Sequence, residues 1–369
     1  MKAMNIEKQD FSLYDSLLLK SKASVIRGRV KISLSGPLSI MPGIRSIAHI
    51  VDGQIPAKVN ETLFLSTWIP PAPSLAFNRF VESQAKSMLG IRTPDRVTIS
   101  ITEECPNKCV HCALPNSGQG LKLEAKLIKG IISQILDLGT TLVVFDGGEP
   151  TLYKDLPELV KAVDHRAIST LFTSGAGFVA SLANQLKDAG LYAVNVSLDS
   201  PVPEEHDIMR GRKGAFADAM VAVKNALASD LLINVYVVIR HENVHHLRSF
   251  HDLARELGAH ELTFFEVVPT GRWAGRRDVL LSEKDHKELQ EYIESARSPR
   301  IFSVPSALMR FGCFAGKSWM HITPSGEAYP CACYPVSFGN VYHEPIRDIW
   351  RRMGAIPFMG KKMCPMRNQ

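Results

Sequence analysis

From residue 96 onward the chain alternates short β-branched apolar runs with longer stretches of helical period, and no other feature restricts its fold as much. Strands are expected over residues 96–101, 142–145, 168–173, 193–198, 233–239 and 262–266, each a brief Val/Ile/Leu/Phe-rich run bounded by turn residues. Between them, residues 122–138, 155–163, 179–189, 215–228 and 244–257 space their apolar side chains as amphipathic helices do. Parallel strands need such crossovers, and crossovers are right-handed, so the pattern predicts an α/β fold. Six repeats suit a partial (β/α)6 TIM-like barrel, whose functional groups would sit at the C-terminal strand ends.

The flanks differ from this core, which divides the chain into residues 1–90, 91–300 and 301–369. In the N-terminal extension, SVIRGRVKISLSG reads as a strand pair, and STWIPPAPSLAFNRFVESQ as a Pro-broken segment leading into a helix. Its apolar residues are expected to pack on the barrel; covering the barrel mouth or touching a membrane are the functional alternatives. The last stretch, CFAGKSWMHITPSGEAYPCACYPVSFGN, has too little continuous apolar pattern for a core of its own, so a metal staple is the natural support.

A hydrophobic fraction of 45% with 22% charged residues excludes disorder of the whole. Lys and Arg (43) exceed Asp and Glu (37) by only 6, spread along the chain, which neither demands nor rules out an anionic partner; no nucleic acid is expected as one. No run approaches the roughly 18 apolar residues of a membrane helix, and MKAMNIEKQD lacks the apolar stretch of a signal peptide; a cytoplasmic location is expected.

The seven cysteines fall into two groups, which in an intracellular chain points to metal rather than to disulfides. Cys105, Cys109 and Cys112 are spaced Cys-x3-Cys-x2-Cys just after the first strand. Three thiolates on one loop hold three corners of a [4Fe-4S] cube and leave one iron open to a ligand. A structural zinc site from these cysteines and His111 is the alternative, although His111 lies between two of them on the same tight loop. Cys313, Cys331, Cys333 and Cys364 form the second group, sufficient for one more [4Fe-4S] cluster or for a zinc tetrahedron.

The three-cysteine loop after the first barrel strand resembles that of the radical SAM superfamily, in which the open iron chelates S-adenosylmethionine (SAM). The resemblance implies an enzyme that reductively cleaves SAM to a 5′-deoxyadenosyl radical, which abstracts hydrogen from a substrate. FDGGEPTL places Gly147, Gly148, Glu149 and Pro150 where the family's GGEP motif meets the SAM amino group. Ser174 in FTSGAG and Ser197 and Asp199 in VSLDS stand where ribose or methionine contacts are made, and Arg240 in VVIRHEN where a carboxylate would be held. Each also reads as an ordinary turn or cap residue. HDIMRGRKGAF looks like the loop after the fourth strand of relatives but receives no role, and Glu266 and Arg272 are candidates to face substrate.

The C-terminal cysteines resemble the twitch or SPASM-type extension: Cys313, Gly326 before Cys331, Cys333, the landmarks Gly339 and Trp350, and Cys364. A full SPASM pattern carries seven cysteines, so four imply one auxiliary [4Fe-4S] cluster, with Cys333 the least secure ligand. The implied partners are a peptide or a tetrapyrrole-like small molecule as substrate and a reductant such as ferredoxin or flavodoxin. The rival is a non-catalytic protein whose two clusters only pass electrons, which leaves GGEP and the open corner without a purpose.

Overall fold

The structure, a computed structural model, describes residues 9–26, 28–40, 45, 48, 52, 56–59, 62–114, 118–296, 298–357, 359–362 and 364–367. The N-terminal region holds β1 (Gln9–Asp15), β2 (Lys20–Ile26), β3 (Arg29–Ser35), β4 (Ala57–Val59), β5 (Thr62–Phe64) and α1 (Leu75–Met88). The α/β core follows as β6 (Arg96–Ser100), α2 (Ala125–Asp137), β7 (Leu142–Asp146), α3 (Leu156–Lys161), β8 (Ile168–Thr173), α4 (Ala180–Asp188), β9 (Ala193–Ser197), α5 (Pro203–Arg210), α6 (Ala215–Ala228), β10 (Leu232–Ile239), α7 (Leu247–Glu256) and β11 (Glu261–Glu266). Last come α8 (Glu283–Ser295), β12 (Arg300–Ser303), α9 (Val304–Phe311), β13 (Trp319–Ile322), β14 (Ala328–Tyr329) and α10 (Ile346–Arg352). No helix among the described residues is long and apolar enough to cross a membrane.

One sheet runs β12-β11-β10-β9-β8-β7-β6-β13-β14, with every neighbouring pair parallel except β13 and β14. The six expected strands are its centre, and β12 and β13 extend the parallel set by one strand at each side. Residues alternate along each strand. Val97, Ile99, Val143, Phe145, Val194, Val196, Val235 and Val237 turn outward and join the main buried core beneath the helices. Helix α2 shows why these segments are helical: Ile128, Ile131, Ile132 and Ile135 recur at the spacing of one helix face and are all buried. Each contributes about 1.5–3 kcal/mol of apolar burial.

The opposite strand faces meet inside a curved sheet, and many of them are polar. Asn234 donates to Asn195 (2.8 Å) and Thr263 (2.9 Å), linking three adjacent strands. Trp68, from the segment after β5, enters this interior. Its ring lies 5.9 Å from Phe172, 6.2 Å from Tyr236 and 6.0 Å from Phe302, with the Arg96 guanidinium 5.1 Å away. One side chain touching β6, β8, β10 and β12 is possible only because the sheet closes around it as a partial barrel.

Trp68 enters from below. The hydroxyls of Ser66 and Thr67 donate to Glu261 at 2.8 Å each, Arg300 lies 3.4 Å from the same carboxylate, and Trp68 Nε1 donates to Thr263. Glu261, Arg300 and Arg96 open their strands, so the segment seals the N-terminal end of the barrel. Residues 66–68 thus pack at the base of the barrel rather than at its mouth: buried charges at the strand starts need partners, and Ser66 and Thr67 supply them. Described residues of the rest of the extension pack around a small core of Phe11, Leu13, Val25, Val30, Leu63, Leu65, Phe77 and Val81.

The C-terminal region wraps back onto the barrel. The Arg92 guanidinium sits 4.8 Å from the Trp350 ring and donates to the carbonyls of Gly316 (2.5 Å) and Trp350 (3.1 Å). Ile346, Ile349, Trp350 and the four C-terminal cysteines belong to the same buried cluster as the barrel strands.

Candidate active site

At the C-terminal ends of the strands lies a cavity of about 580 Å³. Cys105, Cys109 and Cys112 line it from the loop after β6 and are half-buried and free. Neighbouring elements fix the backbone of this loop. Gly148 and Glu149 donate to the carbonyls of Thr102 and Glu104 (both 2.7 Å), Lys108 and Val110 donate to Arg210 and Met209 (both 2.9 Å), and Arg272 donates to Cys112 (3.0 Å). The main chain that carries the three cysteines is thereby held in place. Burial pushes the Cys105 thiol up to about 11 and raises Cys112 as well, so a bound cation is what would make them thiolates at neutral pH.

The shelf opposite the cysteines is residues 146–150. Gly147 adopts φ 140°, and a Cβ on Gly148 would collide with the carbonyls of Glu103 and Glu104, so only glycine lets these loops lie together. Glu149, the expected acceptor for an ammonium group, is fully buried and already engaged. It accepts from Thr151 (N at 3.3 Å, Oγ1 at 2.9 Å), Thr173 Oγ1 (2.7 Å) and Ser174 (N at 2.8 Å, Oγ at 2.6 Å). Even so, burial holds its carboxyl above the usual range. It pins the shelf to the end of β8. Gly147, Gly148, Pro150, Ser174 and Ser197 line the cavity.

Asp199 and Arg240 do not line it. Asp199 is 1% exposed, with Arg210 Nε 2.7 Å and His111 Nε2 3.4 Å away, and Arg240 pairs with Glu242 at 2.9 Å. The guanidinium at the cavity wall is that of Arg210, from the HDIMRG segment, and Arg272 stands at the rim with Nη1 on the Cys109 carbonyl (2.9 Å). Sequence reasoning missed Arg210. Its signal was the Arg-Gly step that closes α5, where Gly211 takes the left-handed conformation after a buried arginine.

A second missed residue is Asp146, the aspartate directly ahead of GGEP, which lines the cavity floor. Ser100 Oγ lies 2.5 Å from its carboxylate and 3.3 Å from His321 Nε2. Burial pushes Asp146 up to about 7, against the Ser100 hydrogen bond, and pushes His321 down to about 3, so the imidazole is neutral. Ser100 can then donate to whichever neighbour lacks the proton. An acid raised on folding holds its proton more tightly when folded, so stability falls as pH climbs from about 4 through about 7, and the loss is complete above that. Asp146→Asn abolishes this term. Its stability advantage over wild type is expected to widen between pH 5 and pH 8 by about 1–2 kcal/mol after allowing for solvent at the cavity floor. A constant gap in thermal unfolding across that range would refute the raised carboxyl.

Cys313, Cys331, Cys333 and Cys364 are buried and free. Burial raises the thiols, Cys333 to about 12 and Cys331 well above its ordinary value. Cys333 alone of these four lines the cavity that Cys105, Cys109 and Cys112 also line. Glu266 does not face that cavity. It is 2% exposed and holds Arg367 Nη1 (2.5 Å) and His286 Nε2 (3.0 Å), which ties the segment after Cys364 to the end of β11.

Residues 99–254 match the radical SAM superfamily, and residues 313–366 match SPASM, the iron-sulfur cluster-binding domain. The AdoMet-dependent heme synthase of Methanosarcina barkeri is 25% identical over 70% of this chain and 82% of its own. The PqqA peptide cyclase of Rhizobium meliloti is 27% identical over 76% of this chain and 80% of its own. The crystal structure of Streptococcus suis SuiB bound to the precursor peptide SuiA superposes with a TM-score of 0.60 at 15% identity, over 94% of this chain and 90% of that one.

Proposed function

The chain belongs to the radical SAM superfamily, as an enzyme with a C-terminal iron-sulfur cluster-binding domain, and from that premise we propose that it cleaves SAM reductively and removes a hydrogen atom from a peptide or tetrapyrrole substrate. The observation that carries this reading is the set of three free cysteines on one fixed loop, opening onto a deep cavity opposite a glycine shelf. When bound, the cluster and SAM supply a carbon-centred oxidant strong enough for an unactivated C–H bond.

Cys105, Cys109 and Cys112 would hold that cluster, and Cys313, Cys331, Cys333 and Cys364 the auxiliary one. The backbone of Gly147 to Pro150 lets SAM approach closely, while Ser174 and Ser197 offer it polar contacts. Phe172, Val238, Phe265, Val267 and Val268 form an apolar wall that keeps water from the reacting carbon. Electrons come from a small reductant such as ferredoxin or flavodoxin.

A peptide is the substrate class assigned first. The superposable SuiB structure contains a precursor peptide. The tetrapyrrole reading rests on the heme synthases, which match about 70% of the chain. The test is anaerobic reconstitution with iron and sulfide, reduction with SAM present, and chromatography for 5′-deoxyadenosine, with precursor peptides or iron porphyrins added in turn. The substrate class that raises deoxyadenosine and gains a mass change is the correct one. Brown, fully reconstituted protein that yields none with several reductants returns the electron-transfer reading.

A further inference from the structure

Helix α5 ends against the cysteine loop in a way its sequence did not announce. Arg210 is its last residue, and the main chains of Met209 and Arg210 accept hydrogen bonds from Val110 and Lys108, on either side of Cys109. The Arg210 side chain is therefore fixed relative to that sulfur. Its Nη1 lies 3.8 Å from Cys109 Sγ, within hydrogen-bonding range for sulfur. On its other side, Nε lies 2.7 Å from Asp199 Oδ2, with the arginine side chain 10% and the aspartate 1% exposed.

Asp199 is itself anchored. Its main-chain N–H donates to His206 Nδ1 at 3.1 Å, and His111 Nε2 lies 3.4 Å from its Oδ1. Burial alone would raise this carboxyl, but Arg210, His111, His206 and Arg240 bring it below the usual range, so it is ionised. The result is a buried row of sulfur, cation and anion with little water to screen it.

We propose that Arg210 sets the reduction potential of the cluster on the Cys105–Cys109–Cys112 loop through its N–H donation to Cys109 Sγ, with Asp199 as the counter-charge that limits its effect. This rests on the reading that those three cysteines carry the cluster. Reducing a cluster adds one negative charge, and a fixed cation hydrogen-bonded to a ligand sulfur favours that charge, which raises the potential. A carboxylate one residue further away favours the oxidised form and takes back part of the gain. Arg210 is thus a positioning and tuning residue.

The experiment is a potentiometric titration of the anaerobically reconstituted full chain, followed by electron paramagnetic resonance, reading the signal that added SAM perturbs. Arg210→Gln is expected to move the midpoint to more negative potential, Arg210→Lys to move it part of the way, and Asp199→Asn to move it in the opposite direction. Opposite signs are the decisive result, because a general loosening of the fold would not produce them. Should Arg210→Gln fail to take up iron, Arg210→Lys and Asp199→Asn carry the test. Midpoints equal to wild type in both, at equal iron content, overturn the proposal. Its failure is distinct from failure of the enzymatic reading, which shows as absent deoxyadenosine in wild type whatever the potential.

Discussion

Cys109→Ala is expected to lose deoxyadenosine formation completely and to keep about half of the iron, falling from about eight atoms per chain to about four. The residue sits between Cys105 and Cys112, on backbone held by Met209, Arg210 and Arg272, so no neighbouring thiol can take its place without breaking those bonds. The C-terminal cysteines lie on separate elements within the buried core, so their share of the iron is expected to survive. Iron and sulfide assays beside chromatography of the reaction check both halves. Deoxyadenosine at the wild-type rate would remove the loop from the chemistry. Loss of all iron would mean that the two cysteine groups assemble as one unit.

Glu149→Ala is expected to cost about 3 kcal/mol or more of stability and to abolish SAM binding with it. Five hydrogen bonds from Thr151, Thr173 and Ser174 converge on this buried carboxylate. Removing it strands their donors where water has little access, and each unsatisfied group costs roughly 1–3 kcal/mol. Glu149→Gln keeps one acceptor oxygen but turns an amide NH2 toward other donors, so it should fall between alanine and wild type. Thermal unfolding of the unreconstituted chain separates two roles. A pin lowers the midpoint by several degrees before any ligand is present, whereas a group that only receives a ligand's ammonium leaves it unchanged.

What could be read from the sequence was what repeats or is spaced. The six central strands stood out because both of their faces are buried or barrel-lining, so their runs are nearly continuous in Val, Ile, Leu and Phe. β12 and β13 did not, since RIFS and WMHI are four residues long and take their strand character from pairing with β11 and β6. The loop with Cys105, Cys109 and Cys112 stood out because three thiolates within eight residues form a local pattern. Glu149 and Arg210 were harder: a motif gives the position of a carboxylate but not what surrounds it, and Arg240 stood at a strand end while the arginine at the cavity wall closes a helix. The role of STWIPP was hidden for the same reason, because its partners Glu261 and Thr263 lie almost two hundred residues away.

The stopper formed by Trp68 turns the barrel into a cul-de-sac. With its base plugged, the barrel is expected to exchange reactants and spent fragments at the C-terminal ends of its strands, where the cysteine loop and the cavity lie.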